Sequence, residues 1–276
     1  DTEERSFSTF PNINSVNNFS FAFGSCQQNG PFESATPDEV SVFNEIIEHD
    51  LRFFLQLGDW GYPDTTDNFP DDNNFFSTDY DLIQESYHNK YNKDYFMDQL
   101  LSRMPIDYVY DDHDYMNNNS SALTSSYYIP FKPNDISQDD FVTMEIPNPP
   151  GAKENSITGY KENFPGYALA NDSRGIYHKF NFGNIEIFAL DLRSQKSPAL
   201  NAFSKNGTTG KWEFNPPEGH SILGRDEAIG EGESQMSWLL NGLKNSSATW
   251  KFIMSSVPFN QGQRAALDAG LALQDI

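Results

Sequence analysis

Apolar runs of four to six residues alternate with polar, helix-periodic stretches over the first 110 residues. Phe19 to Phe23 reads as a strand. Thr36-Pro37-Asp38-Glu39 has a capping-box pattern with proline at the first helical position, opening a helix to about Asp50. Val42, Phe43, Ile46 and Ile47 supply its apolar stripe. Arg52 to Leu57 is a second strand, an acidic loop spans Pro63 to Thr78, a helix runs from about Asp79 to Arg103, and Ile106 to Tyr110 is a third strand. Strand, helix, strand, helix, strand predicts neighbouring parallel strands joined by right-handed crossovers. From Tyr115 to about Gly175 no period is visible, and so long an irregular stretch inside a compact domain points to function. Gly175 to Phe182 and Asn184 to Leu190 form a hairpin about Phe182-Gly183-Asn184. A second Gly/Asn-rich excursion covers Ser194 to Gly232. Ser234 to Leu243 is helical, with Met236, Leu239, Leu240 and Leu243 on one face. Trp250 to Met254 is the last strand, and the stretch to Ile276 reads as helix. No repeat or linker divides the chain, so one domain is expected.

The ends of these apolar runs carry the chemistry: Gly24-Ser25-Cys26, Gly58-Asp59-Trp60-Gly61-Tyr62, Asp111-Asp112-His113-Asp114, Asp191-Leu192-Arg193 and Ser255-Ser256. Ligand groups delivered by several strands at their C-terminal ends describe a site on an α/β sheet. After a buried strand, Gly58 permits a sharp turn, and a carboxylate at Asp59 could bridge two metal ions. Three carboxylates around His113 repel one another unless cations are present, and they should keep the imidazole a proton donor near neutrality. Asn117, Asn118 and Asn119 offer amide oxygens to a metal or amide donors to a substrate. Asp191 and Arg193 share one strand face; Arg193 either clamps a phosphoryl oxygen or forms a structural Asp-Arg pair.

Other chemistries find no support. The Asp64 to Asn74 run lacks the mid-loop glycine of an EF-hand, and neither a phosphate-binding Gly loop nor a Gly-X-Ser-X-Gly elbow occurs. His49, His88, His178 and His220 stand singly and read as structural or surface residues, so a zinc site on paired histidines is not expected.

Composition narrows the partners. Forty acidic against 18 basic residues give a net charge of -22, which excludes a general polyanion binder and leaves a solvated acidic surface, cation binding, or both. With 37% hydrophobic and 14% aromatic residues, 276 residues bury a full core. No apolar run approaches the ~20 residues of a transmembrane helix. Cys26 is the only cysteine, so there is no internal disulfide. Asn-X-Ser/Thr sequences beginning at Asn18, Asn118, Asn119, Asn171, Asn206 and Asn245 are compatible with a secreted, periplasmic or cell-surface protein.

Taken together, Gly24-Ser25-Cys26, Gly58-Asp59-X-X-Tyr62, Asp111 to Asp114 with Asn117-Asn118, and Asp191-Leu192-Arg193 resemble the PhoD family of alkaline phosphatases, in the calcineurin-like metallophosphatase superfamily. Glu233 to Leu239 and Trp250 to Pro258 are similar to the family's helix and late strand, and the resemblance runs from about Phe19 to Phe259. It implies an α/β fold, a two-sheet αββα sandwich, that hydrolyses phosphate mono- and/or diesters by attack of a metal-bound hydroxide. It implies ferric iron (Fe3+) with calcium (Ca2+), the iron held by Cys26, Asp59 and Tyr62, with Asp59 bridging to calcium and Asp112 a further ligand. His113 would take the place of the histidine that stabilises or protonates the departing group. Asn117, Asn118 and Arg193 are the candidate substrate-binding residues, Arg193 with His113 the catalytic pair. Thiolate and phenolate are donors suited to a redox-capable transition metal, and carboxylate and amide oxygens to calcium.

Relatives carry a later Gly-Asp-X-His block that does not occur before Ile276, and a small β domain before the first strand. The expectation is therefore a lead segment over 1–18 and a metallophosphatase domain over 19–276 that is incomplete at its C-terminus. The rival from another class is a non-catalytic, calcium-dependent binding protein on the same fold. The expected partner is a small phosphoester, without specific nucleic acid.

Overall fold

Phenylalanines on alternate positions of two sheets build the centre of the molecule. In the computed structural model, residues 8–16, 18–26, 42–63, 76–92, 100–117, 120–126, 145–164, 166–198, 203–208, 212–214, 221–224 and 233–257 are described. Strands β1 (Ser20–Gly24), β2 (Leu51–Gln56) and β3 (Ile106–Tyr108) form a parallel sheet in that order. Parallel neighbours need crossovers, and helices α1 (Val42–Glu48) and α2 (Tyr80–Asn92) lie in the two connections. A second sheet holds β6 (His178–Phe182), β7 (Ile185–Ala189) and β10 (Trp250–Met254), with β7 central, antiparallel to β6 and parallel to β10. The expected hairpin is present: its turn passes through Gly183 at φ 57°. Phe53 of β2 lies 5.0 Å from Phe21, 5.2 Å from Phe182 and 6.1 Å from Phe180, ring centre to ring centre. The two sheets thus share one core, each buried ring contributing about 1.5–3 kcal/mol.

Helices pack against these sheets. Ile83 and Tyr87 of α2 and Tyr160 of α4 (Ala152–Asn163) belong to the shared core. Leu239 and Trp238 of α5 (Gln235–Asn245) pack on Phe188 of β7. Ser234 caps α5 by accepting from the Ser237 N–H, at the helix start read from the sequence. Two short ribbons, β4 (Thr124–Ser126) with β5 (Glu145–Pro147) and β8 (Phe203–Lys205) with β9 (Trp212–Phe214), complete a mixed α/β fold. Among the described residues, no helix is long and apolar enough to cross a membrane.

The stretch read as aperiodic from Tyr115 to Gly175 contains α4 and the β4–β5 ribbon. The buried face of α4 includes Ala152, Ser156 and Gly159 rather than an apolar stripe, because a Cβ on Gly159 would stand 2.3 Å from Ile83 Cγ2. Small residues there admit α2, at the loss of a visible period. Strand β3 ends at Tyr108, and Asp111 to Asp114 turns into a short helix, α3 (Asp112–Tyr115), instead of a strand end. Strand β6 begins at His178, not Gly175. Helix α2 starts as expected and its described part ends at Asn92; the capping box at Thr36 and the helix expected before Ile276 lie outside the described residues.

A buried ion pair ties the two sheets together. His178 of β6 places Nε2 3.1 Å from both carboxylate oxygens of Asp107 on β3 and Nδ1 2.8 Å from the Ile176 carbonyl. Two acceptors require both ring nitrogens to donate, so the ring is the imidazolium. Burial disfavours that charge, but the Asp107 hydrogen bond and charge and the Ile176 carbonyl outweigh it, raising the His178 pKa above 6.5. This stabilisation is fully present below 6.5 and lost as pH rises through the raised value. His178→Ala, which strands Asp107 inside, is expected to cost about 3–5 kcal/mol by denaturant unfolding; a loss within error of zero would show the pair to be expendable.

Candidate metal centre

Strand register brings the candidate residues together. Gly24 pairs with Gln56, and Gln56 with Tyr108, so three parallel strands end at one level. Beyond it the chains stay joined: the Cys26 N–H donates to the Gly58 carbonyl at 3.0 Å and the Val109 N–H to the Gln56 carbonyl at 3.1 Å. Cys26 (φ 59°) and Asp59 (φ 54°) are non-glycine residues in left-handed backbone, flanked by Gly58 (φ 104°) and Gly61 (φ 101°). Each such residue costs on the order of 1–2 kcal/mol, strain that persists where a site uses it.

Asp59 is the hub. The Tyr62 hydroxyl donates to its Oδ2 at 3.1 Å, and Cys26 Sγ lies 3.7 Å from the same oxygen. Its Oδ1 accepts the His113 backbone N–H at 3.3 Å. The His113 ring lies against Tyr62, centres 4.3 Å apart. Donor atoms of Asp59, Asp112 and His113 all fall within 4.8 Å of one another, a spacing that one cation can span. Asp59 and Asp112 are buried, Tyr62 and His113 half-buried and Cys26 exposed, so the cluster opens to solvent on the cysteine side.

Burial and like charge act together on these groups. Burial, then Asp112, Asp111 and Asp114, push the Asp59 pKa up to about 9, with His113 opposing. Burial also pushes Asp111 to about 7, against the pull of Arg193. Burial and the nearby Asp59 likewise raise Cys26 and Tyr62. Burial and the neighbouring acids therefore hold the Asp59 carboxyl protonated and make the thiol and phenol harder to ionise, an arrangement that a bound cation relieves. Thiolate and phenolate suit a redox-capable transition metal such as ferric iron and carboxylate oxygens suit calcium, so the residues fit those ions.

Arg193 enters this site from behind. Its Nε bonds Asp111 Oδ1, its Nη2 lies 3.5 Å from Asp112 Oδ1, and its Nη1 donates to the Ser120 carbonyl at 3.4 Å. Arg193 is thus paired with carboxylates, and its partners are Asp111 and Asp112 rather than Asp191. Asp191, read as a strand-end counterpart of Asp59, is fully buried and already engaged. It accepts from the Tyr110 hydroxyl at 2.7 Å, from the backbone N–H of Ile176 and Ser194 at 3.0 and 2.9 Å, and from the Ser194 hydroxyl. Asn117 is half-buried beside α3, its backbone tied to Ser120, and Asn118 lies outside the described residues. Lys90 of α2, which no motif singles out, reaches Asp114 at the base of α3, its Nζ 3.2 Å from Oδ1. Its signal was a lysine at the stripe spacing of Ile83 and Tyr87, where an apolar residue belongs.

A family model described as PhoD-like phosphatase matches residues 21–274. No curated protein matches the chain. Among solved structures, the one named "Structure of PhoD" has a similar fold, with a TM-score of 0.51 at 20% sequence identity, over 89% of this chain and 43% of that chain. This chain therefore spans less than half the length of that structure. The breadth of the family match, over strands whose ends gather Cys26, Asp59, Tyr62, Asp112 and His113, places the chain in the PhoD-like phosphatase family.

Proposed function

We propose that the protein is a metal-dependent phosphoesterase acting on small phosphate monoesters, diesters or both, and that its two larger sheets are the inner layers of an αββα sandwich. The observation that carries the activity is the double use of Asp59, one oxygen shared by Tyr62 and Cys26 and the other facing α3 with Asp112 and His113. Cys26, Asp59 and Tyr62 would hold ferric iron, and Asp59 with Asp112 calcium. Such ions supply activation of the attacking water and neutralise charge on the phosphoryl oxygens. The chain's own residues do the rest. His113, whose backbone N–H bonds Asp59 and whose ring lies against Tyr62, would give a proton to the departing oxygen. Arg193 holds Asp111 and Asp112 in position and brings fixed positive charge to an acidic site that must admit an anion. Asn117 and Asn118 would offer amide donors to the ester oxygens.

The test is hydrolysis of p-nitrophenyl phosphate and bis(p-nitrophenyl) phosphate by the full chain, with and without chelator, beside metal analysis. Hydrolysis abolished by chelator and restored by iron with calcium is expected. Calcium binding without hydrolysis would replace this reading with the non-catalytic one. Cys26→Ser, which exchanges a thiolate donor for a poor hydroxyl donor, is expected to lower bound iron about tenfold or more while calcium stays. Unchanged iron would remove Cys26 from the ligand set.

A further inference from the structure

Behind the cluster lies a second, fully buried charge pair. Lys90, at the end of α2, places Nζ 3.2 Å from Asp114 Oδ1, both side chains essentially without exposure. Its ammonium sits 4.4 Å from the centre of the Tyr87 ring and 5.8 Å from that of Tyr108, a box that favours a cation and excludes water. Among the described residues neither Nζ nor Oδ1 has an aligned hydrogen-bond partner, so the contact is one of charge. The other Asp114 oxygen accepts the Asp111 backbone N–H at 3.1 Å, closing the capping box that starts α3. Asp112 and His113 are the first two residues of that helix.

Resting on the phosphoesterase reading, we propose that Lys90 is a positioning residue of the metal centre. Through Asp114 it fixes the entry of α3, and so the Asp112 carboxylate and the His113 backbone against Asp59. Three acids in one short turn need separate counter-charges. Arg193 answers Asp111 and Asp112 from one side, and Lys90 answers Asp114 from the other. Without Lys90, Asp114 adds a buried negative charge that α3 sheds by rotating or unwinding, which pulls Asp112 away from Asp59. A packing role alone would be met by any residue filling the aromatic box; a positioning role requires the cation.

The experiment titrates Ca2+ alone into the full chain and its variants, each held well below its melting temperature. Lys90→Met is expected to weaken calcium binding about tenfold or more, and Lys90→Arg to keep it within a few-fold. If Lys90→Met does not fold, Lys90→Gln carries the comparison and is expected to show the same loss, whereas the double variant Lys90→Met/Asp114→Asn, which leaves no buried ion unpaired, is expected to bind calcium within a few-fold of wild type. Leu239→Ala, in the α5 cluster away from the site, serves as a destabilised control with unchanged affinity. Calcium binding equal in wild type and in folded Lys90→Met or Lys90→Gln would overturn the proposal while leaving the phosphoesterase reading intact. No calcium binding by wild type would overturn both.

Discussion

Asp59→Asn is expected to abolish metal binding and hydrolysis and, at the same time, to stabilise the metal-free protein. Asparagine keeps the size of the side chain and tolerates the left-handed backbone at φ 54°, so the change is one of charge. A ligand at the centre of the cluster should cost more than the ~100-fold at the upper end for a supporting residue. The stability change runs the other way. In the folded, metal-free protein the Asp59 pKa is pushed up to about 9 from an ordinary 3.8. Between those values the folded state binds the proton more tightly than the unfolded chain. The stability contributed is therefore complete below about 4 and lost as pH rises toward 9, on the order of 4 kcal/mol by pH 7. In chelator, the melting temperature of wild type should fall relative to Asp59→Asn as pH rises, and calcium with iron should raise wild type alone. Parallel melting curves across that range would show that Asp59 is not held under charge repulsion.

Strand ends are legible in this sequence where the loops joining them are not. Asp59, Asp112 and His113 were legible because each follows an apolar run that has to be a strand, and strand ends converge on an α/β sheet. Cys26 and Tyr62 were legible only beside them, since a lone cysteine or tyrosine carries no period. Both meet at Asp59 Oδ2. Asp191 misled because an acid after a strand looks the same whether it faces a metal or a loop. The hydroxyls and backbone N–H groups that satisfy it come from Tyr110, Ile176 and Ser194, at distances no local pattern encodes. Helix α4 was lost for the opposite reason. Its contact with Ile83 is made by Gly159, and close approach erases the apolar stripe from which helices are read. His178 was rightly taken as structural, but its partner Asp107 lies 71 residues away.

Gly58→Ala is expected to damage the site as severely as loss of a ligand, without removing any functional group. Gly58 sits at φ 104°, where an L-residue is strained by about 1–2 kcal/mol. Its added Cβ would lie 2.4 Å from Asp111 Cβ, 2.6 Å from Asp111 N and 3.0 Å from Asp111 Cα. Two of those three atoms are backbone at the cap of α3, so a side-chain rotation cannot relieve the clash, and overpacking of this kind adds about 1–3 kcal/mol. Either the turn flips and Asp59 leaves the cluster, or Asp111 moves and takes with it the Arg193 contact and the Asp114 cap. Gly151→Ala is the matched control: φ is 82°, and nothing lies within 4 Å of the added Cβ. It should lose about 1 kcal/mol with metal affinity intact. Gly58→Ala should lose about 3 kcal/mol or more, together with calcium and iron binding. Equal losses in the two variants would mean that the approach of β2 to Asp111 is slack, and that the metal centre is held by its side chains rather than by the turn that delivers Asp59.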